Sequence, residues 1–266
     1  MKKNTFLFIS AFYSSLLSAQ VNSRGAEKLI PKVSLVTHKL GGTEVRLKML
    51  QYGPASHYVF INLHDDENTS VEGVSSTLEN SGGTLITIEN NGKRNIQFRH
   101  RGKNYSIDPN RIFSRTGIRK TLAQSGKANS KLVDEVESFA SHILKLIPGE
   151  TRFVIALHNN TNGNLSVTEY LPGNKREKDA KKVFVATGQD TDDFFLTTDS
   201  LFFQYLSARH FNAVLQDDIN VEQDGSLSVY FAGKNISYLN CETEHGRVAQ
   251  NERMIAAALK YITAKN

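Results

Sequence analysis

The stretch His57-Tyr58-Val59-Phe60-Ile61-Asn62-Leu63, followed at once by His64-Asp65-Asp66-Glu67, decides how this chain reads. The apolar run has the length of a buried strand, and the polar tetrad opens where that strand ends. A second run, Phe153-Val154-Ile155-Ala156-Leu157, closes in the same way on His158. In open α/β sheets the ligand crevice lies beyond the carboxyl ends of the strands, so His64, Glu67 and His158 are expected to converge there. Imidazole nitrogen and carboxylate oxygen are ligand types that zinc takes. A catalytic zinc site uses three of them and leaves a fourth position open. Two side chains three residues apart across a strand-to-helix turn can face one ion. The competing uses are a satisfied histidine at a strand end for His64 and a dipole-stabilised first-turn acid for Glu67. Taken together, the three side chains point to metal-assisted hydrolysis.

Working outward, strands and helices alternate. Strands are expected at Glu44 to Gln51, His57 to His64, Thr84 to Glu89, Arg152 to His158, Lys182 to Ala186, Ala213 to Leu215, Ser226 to Ala232 and Ile236 to Cys241. Helices are expected at Thr69 to Ser81, Ser130 to Leu146, Ser200 to Ala208 and Val248 to Thr263. Leu132, Val133, Val136, Phe139, Ala140, Ile143 and Leu144 recur with a 3.6-residue period, and Pro148-Gly149 stops that helix. Strands that are apolar throughout, not alternating, imply a sheet covered on both faces. The expected class is therefore α/β: a mixed, mostly parallel central sheet with helices on both faces. Gly102 to Asn129 lacks periodicity and reads as a long loop of functional weight. A second polar segment runs from Pro172 to Lys182. No internal repeat is visible, and residues 20–266 read as one domain.

Residues 1–19 stand apart. Lys2 and Lys3 precede an apolar stretch, Phe6 to Leu17, and Ser18-Ala19-Gln20 offers a small-residue cleavage point. This is the pattern of a secretory signal peptide, too short for a spanning helix. A bacterial periplasmic or secreted protein, without stable membrane insertion after cleavage, is expected. The formal charge of +5 includes Lys2 and Lys3, so the mature chain is nearer 5 − 2 = +3. Such a mild positive balance suits an anionic substrate or an acidic cell surface. No motif supports nucleic-acid binding. Cys241, the single cysteine, excludes an intramolecular disulfide and a Cys-rich zinc module, and its apolar context reads as core.

The long loop holds Asp108-Pro109-Asn110-Arg111, and two acids, Glu242 and Glu244, follow the run Ile236 to Cys241. In the order H-x-x-E, D-x-N-R, strand-end His and late Glu, spanning residues 64 to 244, the chain resembles the zinc carboxypeptidase family. That family comprises the M14-type metallocarboxypeptidases and their succinylglutamate desuccinylase-like deacylase relatives. The resemblance implies Zn2+ held by His64, Glu67 and His158. It implies a carboxylate, Asp108, fixing the far ring nitrogen of His64. Asn110 and Arg111 would bind a substrate carboxylate, Arg111 through its planar fork. A late Glu would be the general base. A two-residue period puts Glu242 and Glu244 on one strand face, so alternation leaves both open. The family's Glu-Thr pairing at this point favours Glu242. Only 158 − 67 = 91 positions separate the metal half-sites, which matches the compact bacterial members. The arginine that would polarise the scissile carbonyl is not fixed by motif; Lys93-Arg94 and Arg99 to Arg101 are upstream candidates. The implied substrate is a peptide with a free carboxylate, murein peptides included. An N-acyl amino acid is the alternative, and a non-catalytic binding protein of the same fold a further one.

Overall fold

A computed structural model describes residues 27–265. The expected signal peptide, residues 1–19, lies outside them. The strands are β1 (Lys32–Leu40), β2 (Thr43–Tyr52), β3 (Tyr58–Asn62), β4 (Gly83–Glu89), β5 (Ile96–His100) and β6 (Lys103–Ile107), then β7 (Phe153–Asn160), β8 (Ala180–Phe184), β9 (Phe194–Thr197), β10 (Ala213–Gln216) and β11 (Ser237–Glu244). The helices are α1 (Asn68–Ser81), α2 (Arg115–Ala123), α3 (Ser130–Lys145), α4 (Ser200–Ser207), α5 (Leu227–Phe231) and α6 (Val248–Thr263).

Nine strands form one mixed sheet in the order β1-β2-β4-β3-β7-β11-β9-β10-β8, while β5 and β6 make a separate hairpin. Its centre, β4-β3-β7-β11, is parallel, and antiparallel strands flank it on both sides. The central strands are apolar throughout because each alternate residue serves a different core. In β3, Val59 and Ile61 join the layer beneath α2, α3 and α5, whereas Tyr58 and Phe60 join the layer of α1, α4 and α6. β7 and β11 are in register from Ser237 against Phe153 to Glu244 against Asn160, which sets Glu242 directly beside His158. The mixed α/β architecture expected from the sequence is the one observed.

Two expectations fail. Ser226 to Ala232 is not a strand. Leu227 and Phe231 are one helical turn apart, and both are buried as α5. The choice is made outside the segment: Asn110 Oδ1 accepts from Leu227 N at 2.9 Å, and Asp224 Oδ1 accepts from Ser226 N at 2.8 Å. Gly102 to Asn129 is not a long loop. It contains β6, a turn of 3-10 helix at Pro109–Arg111, and α2. Few apolar residues carry those elements, and the hairpin bends at Arg101 and Gly102, both at positive φ. Strands β1, β5 and β9 were not expected, and β8 begins two residues before its expected start.

Helices α1 and α6 pack closely beneath the carboxyl ends of β3 and β7. Gly73 of α1 makes this possible, since a Cβ there would lie 2.5 Å from Asn251 Oδ1 of α6. Asn251 is fully buried and donates to Thr243 Oγ1 at 3.1 Å, so it has nowhere to retreat. Gly73→Ala is expected to cost about 1–3 kcal/mol through overpacking, and thermal unfolding should show a Tm lower by several degrees. An unchanged or raised Tm would mean that Asn251 yields.

Candidate metal centre and cleft

Glu67 is the residue preceding α1 but makes no side-chain cap to that helix. Its carboxylate is turned instead toward the sheet. Glu67 Oε1 lies 3.1 Å from His64 Nδ1, and Oε2 lies 2.9 Å from His158 Nδ1. The two Nδ1 atoms are 3.2 Å apart. All three side chains are buried, Glu67 to 1% exposure. Ligands at ~2.0–2.1 Å on a tetrahedral ion are about 3.3–3.4 Å from one another. The histidine nitrogens stand near that separation and each meets one Glu67 oxygen, so the donor set fits a zinc-type ion in chemistry and is compact enough to hold one. Among the described residues these three form one of two His/Asp/Glu groups compact enough to hold a metal.

The expected partner of His64 is in place. Asp108 Oδ1 is 2.9 Å from His64 Nε2, and the same oxygen accepts from Asn110 N at 2.8 Å. That contact fixes which His64 nitrogen faces Glu67. The electrostatics show a pocket built for positive charge. Burial opposes a charged His64, yet its hydrogen bonds to Asp108 and Glu67 outweigh burial and raise the pKa to about 9. Burial opposes ionisation of Glu67 too, but the His158 and His64 rings hold its carboxyl well below the usual range. Without an ion, the structure therefore favours a proton on His64. Arg94 Nη1 caps the outer side, donating to Glu67 Oε1.

The chain positions these groups with its own polar residues. His64 lies two residues beyond β3, whereas His158 lies inside β7, which runs on to Asn160. Asp65, next to His64, accepts from Asn90 N at 2.7 Å and Gly92 N at 2.8 Å. It thereby fastens the turn that carries Arg94. The Lys93-Arg94 pair, not Arg99 or Arg101, supplies the arginine at the site. Sequence order narrowed the choice to these basic residues, and only the Asp65 contact separates them.

Beyond His158 opens a cleft of about 290 Å³, lined among others by Arg94, Asn110, Arg111, Tyr170, Arg176 and Glu242. A wider depression of about 460 Å³ beside the β5–β6 hairpin has no acid or imidazole in its lining. The candidate metal centre adjoins the cleft through His158. Glu242 is buried in the wall, its Oε1 accepting from Asn240 Nδ2 at 2.9 Å. Burial raises its pKa, and the nearby Glu67 charge adds to this against the opposing pull of His158. Glu244, two residues on, leaves the cleft: its Oε2 pairs with Arg247 Nε at 2.6 Å. The structure thus separates two acids that alternation left together.

Asn110 is only partly available to a substrate. Its Oδ1 is taken by Leu227 N, and its Nδ2 lies 3.5 Å from His158 Nε2. Arg111 faces the cleft with Nε 3.2 Å from Asp224 Oδ2 and Nη1 on the Asn110 carbonyl at 2.7 Å. Gly225, at φ +81°, keeps this corner tight, since a Cβ there would meet Arg111 O at 2.8 Å and Gly117 Cα at 2.7 Å. Tyr170 and Tyr238 also line the cleft; no pattern in the sequence marked either, and burial raises the pKa of both.

No family model matches the chain, and no curated protein matches it in sequence. Solved structures do: 79 chains resemble it. Thrombin activatable fibrinolysis inhibitor aligns over 88% of this chain and 71% of its own, with TM-score 0.52 and 9% identity. The product-bound ectoine utilization protein EutE (DoeB) from Ruegeria pomeroyi aligns over 88% and 68%, with TM-score 0.50 and 12% identity. Murein-tripeptide amidase MpaA from Escherichia coli O157 aligns over 86% and 91%, with TM-score 0.47 and 14% identity. The chain has a zinc-carboxypeptidase-like fold, as its motif order implied.

If the three-ligand set holds an ion, the purified protein should contain one per chain by elemental analysis. Uptake should release protons and weaken as pH falls, because the proton on His64, with a pKa near 9, must leave. His64→Ala should lose the ion. Asp108→Asn should lower affinity about 10–100-fold. Stoichiometric metal in His64→Ala would refute the ligand set.

Proposed function

We propose that this protein is a secreted zinc-dependent hydrolase that cleaves an amide bond beside a free carboxylate, a metallocarboxypeptidase acting on peptides. The observation that carries the reading is the convergence of His64 Nδ1, the Glu67 carboxylate and His158 Nδ1, with His158 opening on the same cleft as the buried acid Glu242. Secretion rests on the Lys2-Lys3 and Phe6 to Leu17 pattern ending at Ala19. Zinc, when bound, would supply Lewis acidity toward water and the scissile carbonyl.

The protein's own groups do the rest. Glu242, its pKa raised by burial, takes the proton of the attacking water and hands it to the leaving amine nitrogen. Arg94 lines the cleft beside the ligand set and has N–H groups to spare for the carbonyl oxygen as it gains charge. Arg111 presents its guanidinium to the substrate carboxylate and so sets which bond meets Glu242. Cleft walls that hold Arg94, Arg111, Lys175 and Arg176 suit an anionic substrate end. Murein-derived peptides meet that description in the periplasm, and acyl amino acids are the alternative substrate class.

Glu242→Gln should keep its metal yet lower kcat about 10²–10⁴-fold, while Glu244→Gln should retain most activity. If the metal-loaded Glu242→Gln keeps its activity, the proposed base is wrong.

Substrate reading is tested with parent and Arg111→Lys against free-acid and amidated peptides. Lysine cannot copy the bidentate fork. The substitution should lower kcat/KM on the free acid and barely change the already poor amide. Equal losses on both would assign Arg111 to loop support through Asp224.

A further inference from the structure

A second group of acids sits at the far end of β11, outside the cleft. Asp190 and Asp192, in the segment before β9, converge with Glu244 so that one carboxylate oxygen from each lies within 4.8 Å of the others. Asp193 adds a fourth carboxylate, with Oδ1 accepting from Glu244 N at 3.1 Å. Asp192, Asp193 and Glu244 are all buried. Among the described residues the ion pairs to these acids come from Arg247 alone: to Asp190 Oδ2 at 2.8 Å, Asp193 Oδ2 at 3.2 Å and Glu244 Oε2 at 2.6 Å. Four negative charges against one half-exposed positive charge leave a buried excess. Buried charge is tolerated where it is paired or binds a metal.

Two orphaned atoms mark where the missing charge belongs. Glu244 Oε1 is buried and has no hydrogen-bond partner, although its sister oxygen is taken by Arg247. Asn160 Oδ1 is likewise buried without a partner. Asn160 is the in-register neighbour of Glu244 and is 6% exposed. Its Nδ2 donates to the Asp192 carbonyl at 2.7 Å, which holds the amide against the acid group. The unsatisfied Glu244 oxygen lies among three converging carboxylates, and the unsatisfied Asn160 amide oxygen stands on the neighbouring strand in register with it, so every donor on offer is oxygen.

We propose that Asp190, Asp192, Glu244 and Asn160 form a second cation site, distinct from the His64-Glu67-His158 centre, that takes calcium. The set contains no nitrogen or sulfur ligand, which selects a hard cation over zinc. Calcium accepts mixed carboxylate and amide oxygens in irregular geometry, and the part-exposed Asp190 leaves room for water. The ion has a structural job. Asn160 Nδ2 also donates to the Leu165 carbonyl, and Asp192 Oδ2 accepts from Gly163 N at 2.5 Å. These bonds close the base of the 161–193 segment, which carries Tyr170 and Arg176 into the cleft. The inference does not rest on the hydrolase reading.

The test uses the full protein as purified, in calcium-free buffer. Equilibrium dialysis with calcium should give one calcium per chain. At calcium about a hundredfold above Kd, Tm should rise by about 5 °C or more. Asp192→Asn and Glu244→Gln, both isosteric, should lose the uptake and the Tm increment. His64→Ala, which removes a ligand of the other centre, should keep them. Should one isosteric variant not fold, the other decides. Absence of uptake by the parent, uptake retained in the folded isosteric variants, or its loss in His64→Ala would each overturn the proposal.

Discussion

A single buried carboxylate, that of Glu67, organises this molecule. It sits between two imidazoles and under an arginine, at the point where β3 ends and α1 begins. Placing a charge there is costly unless several partners meet it. His158 can meet it only if β7 runs beside β3 in the observed parallel register. His64 can meet it only if Asp108 holds the far side of its ring. The sheet order at the centre and the turn at Asp108 are both constrained by that one group.

Beneath it, a chain of polar contacts ties four elements together. Glu67 O accepts from Ser70 Oγ at 2.9 Å, and Ser70 N donates to Asn159 Oδ1 at 3.0 Å. Asn159 Nδ2 reaches Thr243 Oγ1 at 3.1 Å, and Asn251 Nδ2 reaches the same oxygen at 3.1 Å. The path runs α1, β7, β11, α6. Each member is buried, so a break in it leaves an unsatisfied polar group at a cost of about 1–3 kcal/mol. A buried polar network of this kind fixes side chains more sharply than an apolar contact does. That is what a site with edges near 3 Å requires.

How much of this was legible in the sequence depended on where the information lay. β3, β7, α3 and α6 were readable because their burial is two-sided or strongly periodic, and their own residues carry the signal. His64, Glu67 and His158 were readable because they sit at strand ends that an α/β sheet brings together, whereas Asp108, which follows the separate β5–β6 hairpin, was legible only through the resemblance. What stayed hidden was decided elsewhere in the chain. The α5 segment follows Asn110 and Asp224, residues outside it. β1 has an exposed face and pairs only with β2, so its pattern lacks the apolar density of the central strands. Arg94 is indistinguishable from its basic neighbours until Asp65 pins its turn. The Asn110 amide, read as a substrate donor, is committed in part to Leu227, a contact that needs three dimensions to be seen.

Glu242 and Glu244 show why alternation alone stops short of chemistry. Both follow the same pleat of β11, and both are buried. Their difference comes from what the neighbouring elements place opposite each. Across from Glu242 the sheet offers His158, and the cleft wall offers Tyr170, Tyr238 and the Asn240 amide, the donor to a carboxyl that is itself buried. Such a carboxyl keeps its proton more readily and can exchange it with a reacting group. Across from Glu244 the sheet offers Asn160, while Arg247 at the start of α6 and the 190–193 acids surround it. That carboxyl is held as one member of a charged cluster. Two residues of strand, about 6–7 Å of rise, are enough to pass from a place suited to moving protons to one suited to holding charge.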